Sequence, residues 1–591
     1  MRSVQVLCLV IFSVIFKPTN GQIKIEKKKE FITQDRDETE LEKEIYTSTQ
    51  QLEQFFLTEQ RYVEDVKAII DKKLVSVDAQ GALGAYVASY EDIIGEQDED
   101  ETFMHNPLNV YNLIRHVAVG WGIIEDTLEK EKSTKGGNLP KRCKRVLARR
   151  KRDHVPGAAD LDGVAVGIVR LHDYYKFNTT SFVEEGIFET DEWRAETNGD
   201  LTVWDAFKIG VKGTNQMLLG SGIDIMLNAL EKAKADGMVT TPPFIEALDL
   251  KVLKNLIKTA KTVHDQKLDR WGPRTATHST NSIPYDKRLA KKKKFASPKL
   301  SEVVLNNARI IDSGTEKEQY MNLCRGIDLR PEDVKSKLYC KYEHRNKPYY
   351  MYGPRKIEIV SLKPYIAVLH EFITPSESEE IISKSTPKLK RSQMVGQRLN
   401  GTLDDRRVSE QTWLTEKDAN ATMRLTHRID TFLDLESGST NHSELYQVAN
   451  YGLAGQYDVH YDQVLMDKRH MQNREVFNMF AGDRMASLMG YLSDVAAGGH
   501  TVFPLVGAYI KPIKGAMVIW WNMDQAGGHD VLTRHGGCPV MIGSKWITNK
   551  WVRAHSQMFK RPCPKYTGRQ IREFRNIDPM NKQRGGFFSD P

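Results

Sequence analysis

In YGLAGQYDVHYDQ, residues 451–463, His460 and Asp462 stand two positions apart among residues that favour strand. Side chains at i and i+2 of a strand leave the same face, so an imidazole and a carboxylate at this spacing can grip one metal ion from one side. This pair constrains the fold more than any other feature of the chain. It needs a strand that presents one face to an ion, and it needs a second histidine from elsewhere in the sequence.

Beyond residue 351 the sequence turns to short strands. Segments 357–362, 365–370, 445–451, 485–492, 516–521 and 540–552 are rich in Val, Ile, Tyr and Trp, with Gly or Pro between several of them. One helix, over 376–384, opens the region. Many strands with histidines on inner faces point to a double-stranded β-helix, the jelly-roll architecture. Four downstream histidines compete to complete the metal site. His500 follows Gly498-Gly499 in a turn and is expected to face solvent. His529 sits in a glycine-flanked loop that would fix a ligand poorly. His535 precedes the turn Gly536-Gly537-Cys538-Pro539, and His555 lies further on. Two histidines and a carboxylate on one face of a metal, with three positions open, are the ligand set of non-haem Fe(II) oxygenases. Ten residues past His535 comes Lys545, in an apolar and aromatic strand. Facing a barrel interior it would be a buried cation in need of an anion, and a dicarboxylate co-substrate would supply one. On an edge strand it would snorkel to solvent.

A chain of 591 residues is too long for one core, and three or four domains are expected. A formal charge of +7, the balance of 85 basic and 78 acidic side chains, gives no case for nucleic acid. Met1-Arg2 followed by the apolar run 4–16 and polar residues up to 21 reads as a secretory signal peptide over 1–21. That run is short for a bilayer, and no other segment approaches spanning length. The rest of the chain is then expected to be soluble in the secretory pathway, where disulfides form and the sequons at Asn178, Asn400, Asn420 and Asn441 can carry glycans. Cys324 and Cys340 are close in sequence, as are Cys538 and Cys563, so local pairing within each couple is the simplest framework. Cys143 is left as a buried thiol. The chain does not end in a KDEL-type signal, so residence in the endoplasmic reticulum lumen would need a partner.

Upstream, Leu52, Phe55, Phe56, Tyr62, Val66, Ile69, Ile70 and Leu74 recur at helical spacing and predict one buried stripe between residues 45 and 75. A second helix is expected over 107–121. Residues 22–157 form a helical N-terminal region whose stripe packs in a bundle or against a second subunit. It holds the basic run KRCKRVLARRKR, residues 141–152; most such runs are solvated. Between 158 and 270 paired helices, opening at Thr202 and continuing over 222–233 and 244–263, resemble a degenerate tetratricopeptide hairpin that could present a surface to an extended peptide. Residues 271–350 read as a linker with a local disulfide, 351–563 as the catalytic domain and 564–591 as a flexible tail.

The segments QVANYGLAGQYDVHYD, SDVAAGGHTVFPLVGAYIKPIKGAMVIWWN and TRHGGCPVMIGSKWITNKW resemble the catalytic domain of the collagen prolyl 4-hydroxylase α subunit, densely over about 355–563. HNPLNVYNLIRHV and GAADLDGVAVGIVRLHDYYKFNT extend the resemblance upstream. It implies that His460, Asp462 and His535 bind Fe(II), and that Lys545 pairs with the distal carboxylate of 2-oxoglutarate, with Tyr457 and Thr501 beside it. It implies peptide contacts by Arg407, Ser409, Trp413 and Trp551, and disulfides within the two cysteine couples. The implied reaction hydroxylates C4 of proline in X-Pro-Gly sequences of procollagen-like chains, gives succinate and carbon dioxide, and uses L-ascorbate to restore oxidised iron. Protein disulfide isomerase is the implied β subunit of an oligomer. One departure concerns residues 217–224, MLLGSGID, where the family is rich in tyrosine and this chain has none. The alternatives are a related oxygenase acting on another proline-rich secreted substrate and a catalytically silent collagen-binding subunit.

Overall fold

The computed structural model describes residues 12–19, 22–29, 44–95, 103–134, 136–153, 155–190, 193–196, 201–242, 245, 249–271, 283–291, 313–393, 406–463, 481–524 and 527–561. The chain divides into two compact units, Met1–Ser297 and Pro298–Pro591.

The first unit begins with an antiparallel pair, β1 (Phe12–Thr19) and β2 (Gln22–Lys29), so residues 12–16 of the apolar run lie in a strand. Helices follow: α1 (Thr49–Asp71), α2 (Val77–Ile94), α3 (Pro107–Thr134), α4 (Lys141–Arg152), α5 (Ala158–Tyr175) and α6 (Thr179–Glu185). A minimal pair, β3 (Phe188–Glu189) and β4 (Arg194–Ala195), precedes α7 (Val203–Asn215), α8 (Leu219–Ala235), α9 (Leu250–Trp271) and α10 (Lys287–Ala290). The stripe of α1 is buried at Leu52, Phe55, Tyr62, Val66 and Ile69 as its spacing requires. The basic run is α4, where Arg142 and Arg149 both pair with Asp65 of α1. At the head of α7, Thr202 and Asp205 form a reciprocal capping box. Asp205 also takes Arg115 and Tyr111 from α3, joining two helices through one carboxylate. α7 and α8 cross at glycines: a Cβ on Gly210 would lie 2.6 Å from the Gly222 carbonyl oxygen, and one on Gly222 would lie 2.6 Å from that of Gly210. α9 runs from Leu250, where Asp249 accepts from the Lys251 amide; residues 244 and 246–248 of the expected helix lie outside the described residues.

In the second unit α11 (Ser313–Cys324), α12 (Glu332–Lys335), β5 (Cys340–Glu343) and α13 (Pro348–Tyr352) lead into β6 (Arg355–Leu362) and β7 (Tyr365–His370). After α14 (Pro375–Ser385) come β8 (Lys390–Arg391), β9 (Glu410–Leu414), α15 (Asn420–Leu433), β10 (Tyr446–Tyr451) and β11 (Tyr457–His460). The remaining strands are β12 (Arg484–Tyr491), β13 (Ala497–Gly498), β14 (Thr501–Phe503), β15 (Ala508–Ile510), β16 (Met517–Trp521), β17 (His535–Gly537), β18 (Val540–Ile542) and β19 (Lys545–Arg553). They build a nine-stranded sheet ordered β5-β6-β7-β16-β12-β19-β10-β9-β8, a four-stranded sheet β11-β17-β14-β15, and the pair β13-β18. Period-two alternation splits the main sheet into two cores. Ala367, Leu369, Leu488 and Ile519 pack with Ile381 of α14 and Leu425, Ile429 and Phe432 of α15. Their neighbours Ile366, Val368, Met489, Val518, Trp520 and Ile547 pack with Phe503, Ala508 and Ile510 of the smaller sheet. This β-sheet-rich domain after a helical region is consistent with a jelly roll.

Three sequence expectations are corrected here. Residues 313–350 are part of the second unit: β5 pairs with β6, and α11 is bound to strands of the smaller sheet. The disulfide is not local. Cys324 pairs with Cys538, 214 residues away, at a Cα separation of 5.6 Å, because α11 is brought against the turn after β17. Cys340 is exposed and free on the edge strand β5, and Cys563 lies outside the described residues. The strand expected over 540–552 is two strands, broken at Gly543, whose φ of +108° suits glycine.

Candidate metal centre and cleft

β11 and β17 pair antiparallel with His460 opposite His535. Asp462 follows β11 by two residues and completes the group. One ligand atom from each of the three lies within 4.8 Å of the others. His460 Nε2 is 3.8 Å from Asp462 Oδ1, and His535 Nε2 is 3.7 Å from Asp462 Oδ2. Both imidazoles are oriented by main-chain carbonyls: His460 Nδ1 donates to Asp458 O at 2.8 Å and His535 Nδ1 to Thr533 O at 2.9 Å. That fixes the proton on Nδ1 and leaves both Nε2 lone pairs for a metal. Burial, then the neighbouring His535, lower the His460 pKa to about 3, so the ring is neutral near pH 7. For Asp462 burial opposes ionisation, but His535, His460, Arg484 and a hydrogen bond from Ser487 outweigh it and hold the carboxyl below its usual range. Asn522 Nδ2 in turn donates to Ser487 Oγ at 2.8 Å. Two imidazole nitrogens and one carboxylate, each fixed by an outer partner, fit a divalent iron.

Behind β17, α11 acts as a brace. Tyr320 Oη donates to Gly537 O at 2.8 Å, Glu316 pairs with Arg534, and Cys324 is bonded to Cys538. His500 belongs to this brace rather than to solvent, which corrects its expected place. It is buried, bonds Leu323 O through Nδ1 at 3.3 Å and stacks on Tyr509. His529 lies 3.8 Å from Asp483, and His555 is beside Gly482; neither joins the triad.

The triad opens into a cleft of about 460 Å³ lined by Tyr457, His460, Asp462, Thr501, His535, Lys545, Arg407, Trp413 and Trp551 among others. Of the expected residues, Ser409 alone among the ligand, cofactor and peptide positions does not line it. It is fully buried and bonded to Ser392. Lys545 is 3% exposed; its Nζ donates to Gly499 O at 2.6 Å and lies 5.6 Å and 5.7 Å from the rings of Tyr451 and Tyr491. No carboxylate among the described residues neutralises it, and burial lowers its pKa to about 7. Tyr491 Oη donates to Thr501 Oγ1 at 2.8 Å beside it. A buried cation with carbonyl and π partners and cavity in front of it is a receptor for an anion.

Residue by residue the cleft follows sheet register. Lys545, Ile547, Asn549 and Trp551 alternate inward along β19, while Tyr451, Ala449 and Gln447 oppose the first three on β10. Gln411, Gln447, Asn549 and Arg484 line the cleft and escaped the sequence reading; counting by two from Lys545 finds Asn549. Arg484 lies 3.8 Å over the Trp551 ring and bonds Asp462 O at 3.3 Å. Tyr457 stacks on His460 at 3.7 Å, and the Arg407 guanidinium lies 4.6 Å over the Tyr457 ring. Trp413 is 39% exposed at the mouth, 6.1 Å from Trp551. Asn178, Asn420 and Asn441 are exposed; Asn400 lies outside the described residues.

Comparison with known proteins agrees with this geometry. Residues 48–189 match the model of the prolyl 4-hydroxylase alpha-subunit N-terminal region, and residues 446–553 that of the 2OG-Fe(II) oxygenase superfamily. The chain is 30% identical over 487 residues to prolyl 4-hydroxylase subunit alpha-1 of Bos taurus, covering 79% of this chain and 85% of that protein. It is 30% identical over 477 residues to subunit alpha-2 of Caenorhabditis elegans, covering 78% and 83%. To subunit alpha-3 of Homo sapiens it is 26% identical over 489 residues, covering 80% and 86%.

Proposed function

The chain belongs to the prolyl 4-hydroxylase α-subunit family, and from that premise we propose that it hydroxylates C4 of proline in X-Pro-Gly sequences of procollagen-like polypeptides. It is a 2-oxoglutarate-dependent Fe(II) dioxygenase. The observation that carries the reading is the His460–Asp462–His535 triad with the unneutralised Lys545 at the deep end of the same cleft.

Fe(II), once bound with 2-oxoglutarate and dioxygen, supplies an oxidant through decarboxylation of the 2-oxo acid to succinate. The chain supplies everything around that step. His460 and His535 turn Nε2 toward the metal position because their Nδ1 protons are committed to carbonyls. Ser487 and Asn522 hold Asp462 in place. Lys545 would hold the far carboxylate of 2-oxoglutarate, with Thr501 and Tyr491 beside it. Trp520 and Phe503 close over His535 at ring distances of 4.7 Å and 5.6 Å and keep bulk water from it. Trp413 and Trp551 offer apolar faces for a proline-rich peptide at the mouth.

Several parts of the assembly rest on the family and the sequence. The relatives are named as subunits, which supports a protein disulfide isomerase partner in the endoplasmic reticulum lumen, reached through a signal peptide at 1–21. Among the described residues no helix is long and apolar enough to cross a membrane. The exposed Asn178, Asn420 and Asn441 are accessible to glycosylation. Ascorbate would restore iron oxidised in turnover without peptide. The closely packed α7 and α8 would serve as a tetratricopeptide-like peptide-binding unit. To test the enzyme reading, the chain is co-expressed with protein disulfide isomerase and 2-oxoglutarate decarboxylation is measured with (Pro-Pro-Gly) repeats. Stimulation by peptide, absent in His535→Ala, is expected; no stimulation by any proline-rich peptide would overturn it.

A further inference from the structure

Between the triad and the mouth, one wall of the cleft is built from neutral amides: Gln411 on β9, Gln447 on β10 and Asn549 on β19. Arg407, 6% exposed, sets their orientation. Its Nη2 donates to Gln411 Oε1 at 2.7 Å and to Gln447 Oε1 at 3.3 Å. A guanidinium only donates, so both glutamines must turn their oxygens toward it. Their nitrogens then have to be used elsewhere. Gln447 spends its own on Gln411 Oε1 at 2.8 Å, and Asn549 Nδ2 donates to Gln447 Oε1 at 3.1 Å. The chain of amides therefore runs in one direction. It leaves a donor, Gln411 Nε2, at one end and an acceptor, Asn549 Oδ1, at the other, and neither has a partner among the described residues. Asn549 follows Lys545 by four residues on the same face, about 13 Å along the strand. That places it beyond the co-substrate, at the depth where a peptide would cross.

We propose that this polarised ladder reads the main chain of the peptide substrate: Asn549 Oδ1 accepts from a peptide N–H next to the target proline, and Gln411 Nε2 donates to a peptide carbonyl. The inference rests on the prolyl hydroxylase reading above. A free donor and a free acceptor at the two ends of a rigid row complement one peptide unit, whose C=O and N–H point in opposite directions. The consequence is a specificity rule. A residue that carries an N–H next to the target proline satisfies Asn549, whereas proline or an N-methylated residue leaves a half-buried acceptor unpaired.

The test uses the holoenzyme with two peptides that differ by one methyl group, one with glycine after the target proline and one with sarcosine (N-methylglycine). The unsubstituted enzyme is expected to prefer the glycine peptide about 10- to 100-fold in kcat/KM. Asn549→Val is expected to bring the glycine peptide down to the level of the sarcosine peptide, so the ratio falls to near one. Asn549→Ala removes the same acceptor with a smaller side chain and is expected to give the same ratio near one; it serves if the valine variant does not fold. Gln411→Leu is expected to raise KM for both peptides and leave their ratio unchanged. Equal use of the two peptides by the unsubstituted enzyme, or a ratio unchanged in Asn549→Val, would overturn the ladder while leaving the enzyme reading intact. No turnover with either peptide would overturn the enzyme reading and the ladder with it.

Discussion

Lys208 in the helical unit and Lys545 in the oxygenase unit are buried to similar depths, at 6% and 3% exposure, but their partners differ. Lys208 Nζ lies 2.9 Å from Asp162 Oδ1, and Lys212 holds the other oxygen of that carboxylate at 2.6 Å. Lys545 has a carbonyl and two aromatic faces. Burial pushes both ammonium groups toward neutrality. At Lys208 the Asp162 charge pulls back, whereas at Lys545 nothing does, and its pKa falls to about 7. A buried charge that the fold neutralises is part of the fold. A buried charge that it leaves unneutralised, beside a cavity, is waiting for a ligand.

The sharpest break between the two regions should come at the ligands the lysine serves. Changes to residues that orient a metal ligand cost 10- to 100-fold in metal affinity or activity, so His535→Ala, which removes the ligand itself, should cost more than about 100-fold. Iron binding by the purified chain and peptide-stimulated decarboxylation both report it. A thermal melt of the iron-free chain reads separately the packing lost against Trp520 and Phe503. Near-normal iron affinity would sink the triad.

Next in size is a crossed pair of substitutions. Lys545→Met should raise KM for 2-oxoglutarate roughly 10- to 100-fold, the weight of a charge-assisted hydrogen bond, without lowering thermal stability, since it removes an unneutralised buried cation. Asp162→Ala should do the reverse. It leaves 2-oxoglutarate kinetics alone and costs about 1–3 kcal/mol of stability in the helical unit, less than a fully buried pair because Asp162 is 30% exposed. If Lys545→Met destabilises as much as Asp162→Ala, the contrast between a structural and a receptor lysine fails.

A smaller effect tests the support beneath the triad. Ser487→Ala removes the hydroxyl that donates to Asp462 Oδ2 and accepts from Asn522, and should weaken iron binding about tenfold. Iron titration followed by activity recovery would show it; unchanged affinity would mean Asp462 is held by its other neighbours alone.

How much of this was legible in the sequence follows from how local each signal is. His460 and Asp462 declared themselves because two residues on one strand share a face by construction. Six strands of the nine-stranded sheet, β6, β7, β10, β12, β16 and β19, were legible from their Val, Ile, Tyr and Trp content. His535 needed the family resemblance, since among four histidines only the pairing of β11 with β17 selects it. The cysteines show where proximity in sequence misleads: Cys324 is nearer Cys340 in the chain, yet α11 carries it to Cys538. Helix α15 went unread although Leu425, Ile429 and Phe432 mark its buried stripe. Gln411, Gln447 and Asn549 are three ordinary amides until β9, β10 and β19 set them on one face, Gln447 opposite Asn549 and Gln411 on the diagonal, opposite Ala449.

The effect that returns to Lys545 most directly is on pH. Its folded pKa of about 7 lies below the ordinary lysine value of 10.5 because of burial. Below pH 7 it is charged in both folded and unfolded chains, so the cost of burying the charge is fully present and stability has no slope from this group. Between about pH 7 and 10 the unfolded chain binds more protons than the folded one, and stability of the co-substrate-free unit should rise with pH. Bound 2-oxoglutarate holds the proton on Lys545 and should flatten that rise. The same linkage makes 2-oxoglutarate binding take up a proton above pH 7, so its affinity should fall by up to about tenfold per pH unit there. Melts at pH 7 and 9, with and without 2-oxoglutarate, check the first statement, and KM against pH checks the second. Lys545→Met should lose both slopes while Asp162→Ala keeps them. A co-substrate affinity that does not change from pH 7 to 9 would mean that Lys545 already has an anionic partner without its ligand, and that the two lysines are alike after all.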